Sequence, residues 1–240
     1  MNIKVLYEDN HIIAVVKPAG MLTQSDSSGE KSLMEEVKEY LKRKYQKPGN
    51  VFLGLVHRLD KPVSGIVLFG KTSKGSARLS EQFRKRTIQK TYHAIVVGRP
   101  PKLEGVVKNK VGKISLFARG FTQFSQKEIL KEIKKMARLK TAELFWQVLK
   151  TNNEFSLLKI EPKTGRFHQV RIQLSNLGCP ILGDLKYTKP APHLLNKQKK
   201  WKDKNSIALC ANKISFTTAT TARRIVLEIP LPKEWKKYID

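Results

Sequence analysis

The stretch "HRLDKPVSG", residues 57–65, sets one carboxylate, Asp60, among His57, Arg58 and Lys61 and closes on a Ser-Gly turn. Two further segments share its chemical character: "QKTYHA" at 89–94, with Lys90 and Tyr92, and "KTGRFHQVR" at 163–171, with Arg166 and His168. A carboxylate in such company either neutralises its neighbours on a loop or is a nucleophile held ionised by them. An ordinary glycosidase needs two carboxylates, one of which protonates the leaving group. A leaving group that is already a tolerable anion, such as a uracil ring, makes that acid less necessary. One carboxylate can then attack or deprotonate the sugar while cations steady the charge.

Other chemistries find no support. No nucleotide-binding glycine fingerprint or P-loop is present, so no cofactor is expected. His11, His57, His93, His168 and His193 lack paired metal-ligand spacing, and Cys179 and Cys210 make neither a zinc site nor a disulfide framework, so no metal is expected. No G-x-S-x-G elbow supports a serine triad.

The charge balance names the partner class. Lysine and arginine total 47 against 20 acids, a net charge of +27. Self-repulsion on that scale works against compactness and is best explained by a polyanionic partner, RNA or DNA first and an anionic membrane surface second. At 40% hydrophobic residues the chain is too apolar for a disordered polycation. It has no run of 18 apolar residues and no signal-like N-terminus. The expectation is a cytoplasmic protein, with no membrane span and no obligatory protein partner evident.

The elements that must position the three segments follow from periodicity and turn signals. Residues 3–20 read as two strands around Glu8-Asp9-Asn10, closed by Pro18 and Gly20. "SLMEEVKEYLKRKY" (32–45) reads as a helix with capping-box spacing at Ser32 and Glu35. "VFLGLV" (51–56) and "SGIVLFGKT" (64–72) read as strands, which puts Asp60 on the loop joining them. A basic helix is expected at 73–86, with Ala77, Leu79 and Phe83 as its apolar contacts, and a strand at 89–98. A second capping box, Ser125 to Glu128, opens a probable basic helical insertion over 125–139. Strands on either side of Asn152-Asn153 form a hairpin, and a helix runs from about 165 to Gly178. The stretch 186–205, with seven lysines against one aspartate, reads as an exposed basic loop. Late strands at 206–216 and 223–230 and a short helix at 232–239 finish the chain. Strands and helices mix without a regular βαβ repeat, which indicates α+β around a largely antiparallel mixed sheet flanked by helices.

The same segments resemble the RluA family of RNA pseudouridine synthases. "HRLDKPVSGIVLF" resembles the family's H-R-L-D-x-x-T-S-G motif, "KTYHAIVVG" its K-x-Y strand, and "PKTGRFHQVRIQLSNLGCPILGDLKY" its T-G-R-T-H-Q-I-R-x-H-L segment with the following G-D-x-x-Y. "LYEDNHIIAVVKPAGM" resembles its opening with the K-P-x-G turn. Val63 and Phe167 stand where the family has Thr, and Gln173 stands where it has a second His. The resemblance implies a single catalytic domain over 1–240, without the N-terminal S4 domain of some relatives, acting on rRNA or tRNA without a cofactor. It makes Asp60 the catalytic aspartate, Arg166 the arginine that pairs with it, and Tyr92 the tyrosine that stacks on the target base. Arg58 matches an arginine that enters the space left by a flipped base. His57, Lys90, His168 and Gln169 join Arg58 as candidate substrate-binding residues, with His57 and His168 read as packed framework rather than acid–base groups. The alternative is a basic RNA-binding or assembly protein on the same fold, its chemistry lost.

Overall fold

The structure, a computed structural model, describes residues 3–111, 139–189 and 191–240. The expected insertion helix 125–139 lies outside the described residues, save Leu139. The chain packs as two compact units, Met1–His93 with Asp203–Pro232, and Ala94–Lys202 with Lys233–Asp240.

In the first unit, β1 (Lys4–Glu8) and β2 (Ile12–Lys17) form the hairpin expected around Glu8-Asp9-Asn10. β2 pairs antiparallel with β4 (Ser64–Gly70), from Ile12↔Gly70 to Lys17↔Gly65. β4 pairs in parallel with β9 (Leu209–Thr217) at Ser64↔Cys210 and Gly65↔Ala211, and β9 continues antiparallel into β10 (Arg224–Glu228). Ile12–Val15 and Ile66–Phe69 are buried without alternation, as central strands covered on both faces must be. Helix α1 (Leu33–Lys44) buries Leu33, Val37 and Leu41, spaced four apart on one stripe. Its capping box forms as expected: the Glu35 N–H donates to Ser32 Oγ, and the Ser32 N–H donates to Glu35 Oε2. Helix α2 (Ser73–Lys85) starts at Thr72, whose Oγ1 accepts from the Gly75 N–H, and buries Leu79. Ala77 faces solvent, contrary to expectation.

The second unit begins within β5 (Gln89–Val97), at Ala94, and contains β6 (Glu104–Val111), β7 (Lys140–Thr151) and β8 (Phe155–Pro162). Its strands are ordered β5-β8-β7-β6, with β6–β7 and β7–β8 antiparallel. The Asn152-Asn153 hairpin forms, with Asn152 Oδ1 accepting from the N–H groups of Glu154 and Phe155. Helices α3 (Gln169–Asn176) and α4 (Pro192–Gln198) follow, and a 3₁₀ turn (Lys233–Trp235) leads into the short α5 (Lys236–Ile239).

The architecture is α+β with a mixed, mostly antiparallel sheet, as the sequence indicates. Three elements differ. The 51–56 strand shrinks to β3 (Gly54–Leu55), paired with β4. Helix α3 starts at Gln169 rather than near Gly165, because His168 turns left-handed at φ 49°. The basic stretch 186–205 contains α4, opened by Pro192 at a favoured first position. The helix also buries Gln198, whose amide Nε2 donates to the Ile181 carbonyl and to Thr188 Oγ1.

Gly65 carries a strict backbone requirement. Its φ is +139°, and a Cβ there would sit 2.4 Å from the Ala211 carbonyl oxygen and 2.6 Å from its nitrogen, where backbone cannot yield. We expect Gly65→Ala to lower the free energy of unfolding by about 3 kcal/mol or more, read from urea denaturation. A loss within about 0.5 kcal/mol, the scale of an ordinary surface change, would mean the β4–β9 junction is slack.

Candidate active site

Asp60 lies on the loop between β3 and β4, and that loop is held by backbone bonds along its length. The Leu68 N–H donates to His57 Nε2 at 2.9 Å. The buried Thr23 hydroxyl donates to the Leu59 carbonyl and accepts from the Leu59 N–H. The Lys61 carbonyl accepts from the Gly20 N–H at 2.8 Å and from Lys17 Nζ at 3.1 Å. The Pro62 carbonyl accepts from the Ile207 N–H, and the Asp60 carbonyl accepts from the Val63 N–H, closing a turn. Val63, where the resembling family has Thr, is buried. The Lys61 ammonium pairs with Glu30 at 2.6 Å, so its charge is directed to Glu30.

Lys17 is the contribution that the sequence reading missed. It ends β2 with a fully buried side chain, and Nζ also donates to the carbonyls of Pro18 (2.9 Å) and Met21 (2.7 Å). Three carbonyl oxygens thus take the three protons of an ammonium. Burial pulls the Lys17 pKa down to about 7, while the Asp60 charge works the other way. The signal was available: a lysine ending the apolar run "IIAVVK" has no polar face on which to sit.

Tyr92 is on β5 in the same unit. Burial, then the charge of Asp60, raises its phenol far above the ordinary range. Lys90 is pushed down by burial, and its Nζ lies 5.8 Å from the Phe83 ring centroid. His57 packs on that ring at 4.8 Å. Burial, and then the charge of Lys90, holds the imidazole down to about 3. His57 is therefore neutral, with Nε2 spent as an acceptor, a framework residue as its packing reading has it. Arg58 is exposed at the loop surface.

Arg166, His168 and Gln169 belong to the second unit. Arg166 Nε donates to the Thr141 carbonyl at 3.2 Å. Against the substrate-binding expectation for Gln169, its side chain is buried and its amide is spent inside the turn. Oε1 accepts from Thr164 Oγ1 and the Arg166 N–H, and Nε2 donates to the Glu143 carbonyl. Gln169 shapes the backbone that presents Arg166. His168 Nδ1 lies 2.7 Å from the Tyr187 hydroxyl, and Phe167 stacks on its ring at 3.7 Å. Beneath them Arg171 and Asp184 form a buried bidentate pair, Nε–Oδ2 2.7 Å and Nη2–Oδ1 2.8 Å. Removing one partner would leave a buried charge uncompensated. Among the described residues no group of three His, Cys, Asp or Glu side chains could hold a metal ion.

In the first unit the charge of Asp60, on its clamped loop, thus acts on the Tyr92 phenol. Comparison with known proteins bears on this. A family model described as RNA pseudouridylate synthase matches residues 11–176. The ribosomal large subunit pseudouridine synthase C of Rickettsia typhi is 37% identical over 229 residues, 95% of this chain and 68% of that protein. An uncharacterized RNA pseudouridine synthase of Bacillus subtilis is 31% identical over 97% of this chain and 70% of its own length. Among solved structures, human RNA pseudouridylate synthase domain containing 4 superposes with a TM-score of 0.74 at 24% identity, covering 97% of this chain and 90% of that one, a likeness of fold.

The neutral His57 has a consequence for acid stability. Its folded pKa, about 3, lies below its ordinary 6.5, so the unfolded chain binds the extra proton between these values. Stability from this group is full above about pH 6.5 and is lost as pH falls toward 3, by at most about 1.4 kcal/mol per pH unit. His57→Gln keeps an acceptor near the ε position without the titration. We expect its unfolding free energy to fall less steeply over that range. Parallel pH profiles for the two proteins would show that His57 protonates freely in the fold.

Proposed function

The chain belongs to the RNA pseudouridylate synthase family, and we propose that it converts a uridine of large-subunit ribosomal RNA to pseudouridine in the cytoplasm, with Asp60 as the reacting carboxylate. The names of its relatives favour the ribosomal substrate. One observation carries the residue assignment: the loop that presents Asp60 is clamped on both sides of it, at Leu59 by the Thr23 hydroxyl and at Lys61 by the Gly20 N–H and Lys17 Nζ. A binding protein freed from catalysis has no use for an aspartate presented by a clamped loop beside a tyrosine.

The reaction is an isomerisation. The bond from the ribose C1′ to uracil N1 breaks, a bond from C1′ to C5 forms, C5 loses a proton and N1 gains one. Nothing is oxidised and no water is consumed. Asp60 attacks the sugar or removes a proton near C1′, and its loop holds it in place beforehand, so little reorganisation is needed as charge develops. Tyr92 offers its ring as a stacking surface for the base, and its neutral hydroxyl adds no second negative charge next to Asp60. Arg58, exposed two residues from Asp60, fills the stack that the extruded base leaves, which a planar guanidinium does better than an ammonium. Arg166, anchored on the Thr141 carbonyl, keeps the cationic role that its motif implies.

The test of substrate is a pseudouridine map of total cellular RNA from a deletion strain against its parent. We expect the loss of a site in large-subunit ribosomal RNA. Loss of a transfer-RNA site alone would move the substrate, and an unchanged map would remove the reading. For Tyr92, the ring should matter more than the hydroxyl in binding. Tyr92→Phe should hold RNA affinity within a few-fold, while Tyr92→Ala should lose about 1–3 kcal/mol of it, as titrated on one transcript. Equal losses would assign the binding to the hydroxyl.

A further inference from the structure

Helix α2 ends in the first unit on a corner that the reaction does not use. The Arg86 N–H donates to the carbonyls of Gln82 and Phe83, and the Thr87 N–H donates to that of Gln82, a Schellman-type turn. The left-handed position of such a turn is usually glycine, because a Cβ there crowds the backbone. Here it is Arg86, at φ 58°. The chain accepts backbone strain and keeps a guanidinium exposed at that point.

Gln82 seats the corner on the sheet: Nε2 donates to the Thr217 carbonyl and Oε1 accepts from the Thr217 N–H, each at 2.8 Å. Thr217 pairs with Arg224 across the β9–β10 hairpin, and Arg223 precedes Arg224 at its turn. Arg224 Nη2 donates to Gln89 Oε1 and Ser215 Oγ, both uncharged, at 2.7 Å. Arg84, Arg86, Arg223 and Arg224 are all exposed, and among the described residues none pairs with a carboxylate. The acid closest in sequence, Glu81, is taken by Lys85 at 2.9 Å and by Arg78 at 3.5 Å, with Arg84 adding to its field. Arg84 and Arg86 at the helix end, and Arg223 and Arg224 at the hairpin turn that Gln82 joins to it, are like charges whose planar forks match phosphate oxygens.

We propose that this corner is a docking site for the phosphodiester backbone of RNA, outside the reacting segments, which holds the strand flanking the target uridine. The proposal rests on the RNA-modifying reading above. Arg224 is tied to Gln89, which opens the strand that carries Tyr92 three residues on.

The test compares the full-length wild type, R86G and the triple variant R84Q/R86G/R223Q on a transcript containing the modified uridine. Affinity is titrated between 50 and 200 mM salt, alongside kcat, KM and thermal unfolding. We expect the triple variant to bind about tenfold or more weakly at the lowest salt. The slope of log K against log salt should be shallower by about 2, at roughly 0.7 per single-strand phosphate, and the fall in kcat/KM should be carried by KM. R86G alone should unfold at a higher temperature than wild type, since glycine relieves the turn, and still bind RNA less well. Unchanged affinity and salt slope in the triple variant overturn the proposal. A lowered unfolding temperature for R86G also overturns it, by making Arg86 structural. So does a defect seen only on phosphatidylserine vesicles, which would assign the corner to a membrane surface. If the wild type itself fails to isomerise the transcript, the functional reading falls while the binding comparison still decides the corner.

Discussion

A lysine ammonium buried from water is the interaction on which the Asp60 loop depends. An unpaired cation in the interior is worth several kcal/mol of lost hydration, so Lys17 is tolerable only while the carbonyls of Pro18, Met21 and Lys61 surround it. That requirement binds the turn after β2 to the residue after Asp60. The β2–β4 register, which places Lys17 opposite Gly65, sets where both ends of the arrangement begin. Gly65 in turn must lack a Cβ for β4 to approach β9. The position of one carboxylate is thus fixed by strand register, a buried charge and a glycine.

The same unit sorts its charges by environment. Glu30 takes the charge of Lys61, the neighbour best placed in sequence to neutralise Asp60. Burial chiefly lowers the His57 pKa and raises that of Tyr92, so both are neutral. The Asp60 charge is felt by both the Lys17 ammonium and the Tyr92 phenol. In the second unit the buried Arg171–Asp184 pair and the Gln169 amide perform the corresponding task for the turn that carries Arg166 and His168. They shape the backbone of that turn.

Much of this was legible in the sequence, and the misses have physical causes. The α1 capping box, the two hairpins and the loop position of Asp60 rest on local rules, and each formed. The reacting segments were visible because a carboxylate among cations is rare in so basic a chain. Lys17 was missed because, although an apolar run ending in lysine marks a buried ammonium, its link to Asp60 depends on the Lys61 carbonyl, which only the fold brings to it. Gln169 looked like a substrate contact because an amide beside an arginine and a histidine has no local sign of being spent inward. The start of α3 was misplaced because nothing local announces a left-handed histidine at 168. The basic stretch 186–205 read as a loop because its lysines outweighed the helix signal of Pro192 and the buried Gln198.

The central claim is that the Asp60 carboxylate performs the isomerisation and is not a loop charge. The most direct measurement is turnover and RNA affinity of Asp60→Asn on one transcript, beside the wild type. The substitution removes the negative charge and the nucleophile and keeps the shape. The account predicts that pseudouridine formation is abolished while affinity stays within a few-fold of wild type. Robust turnover by the Asn variant would contradict it.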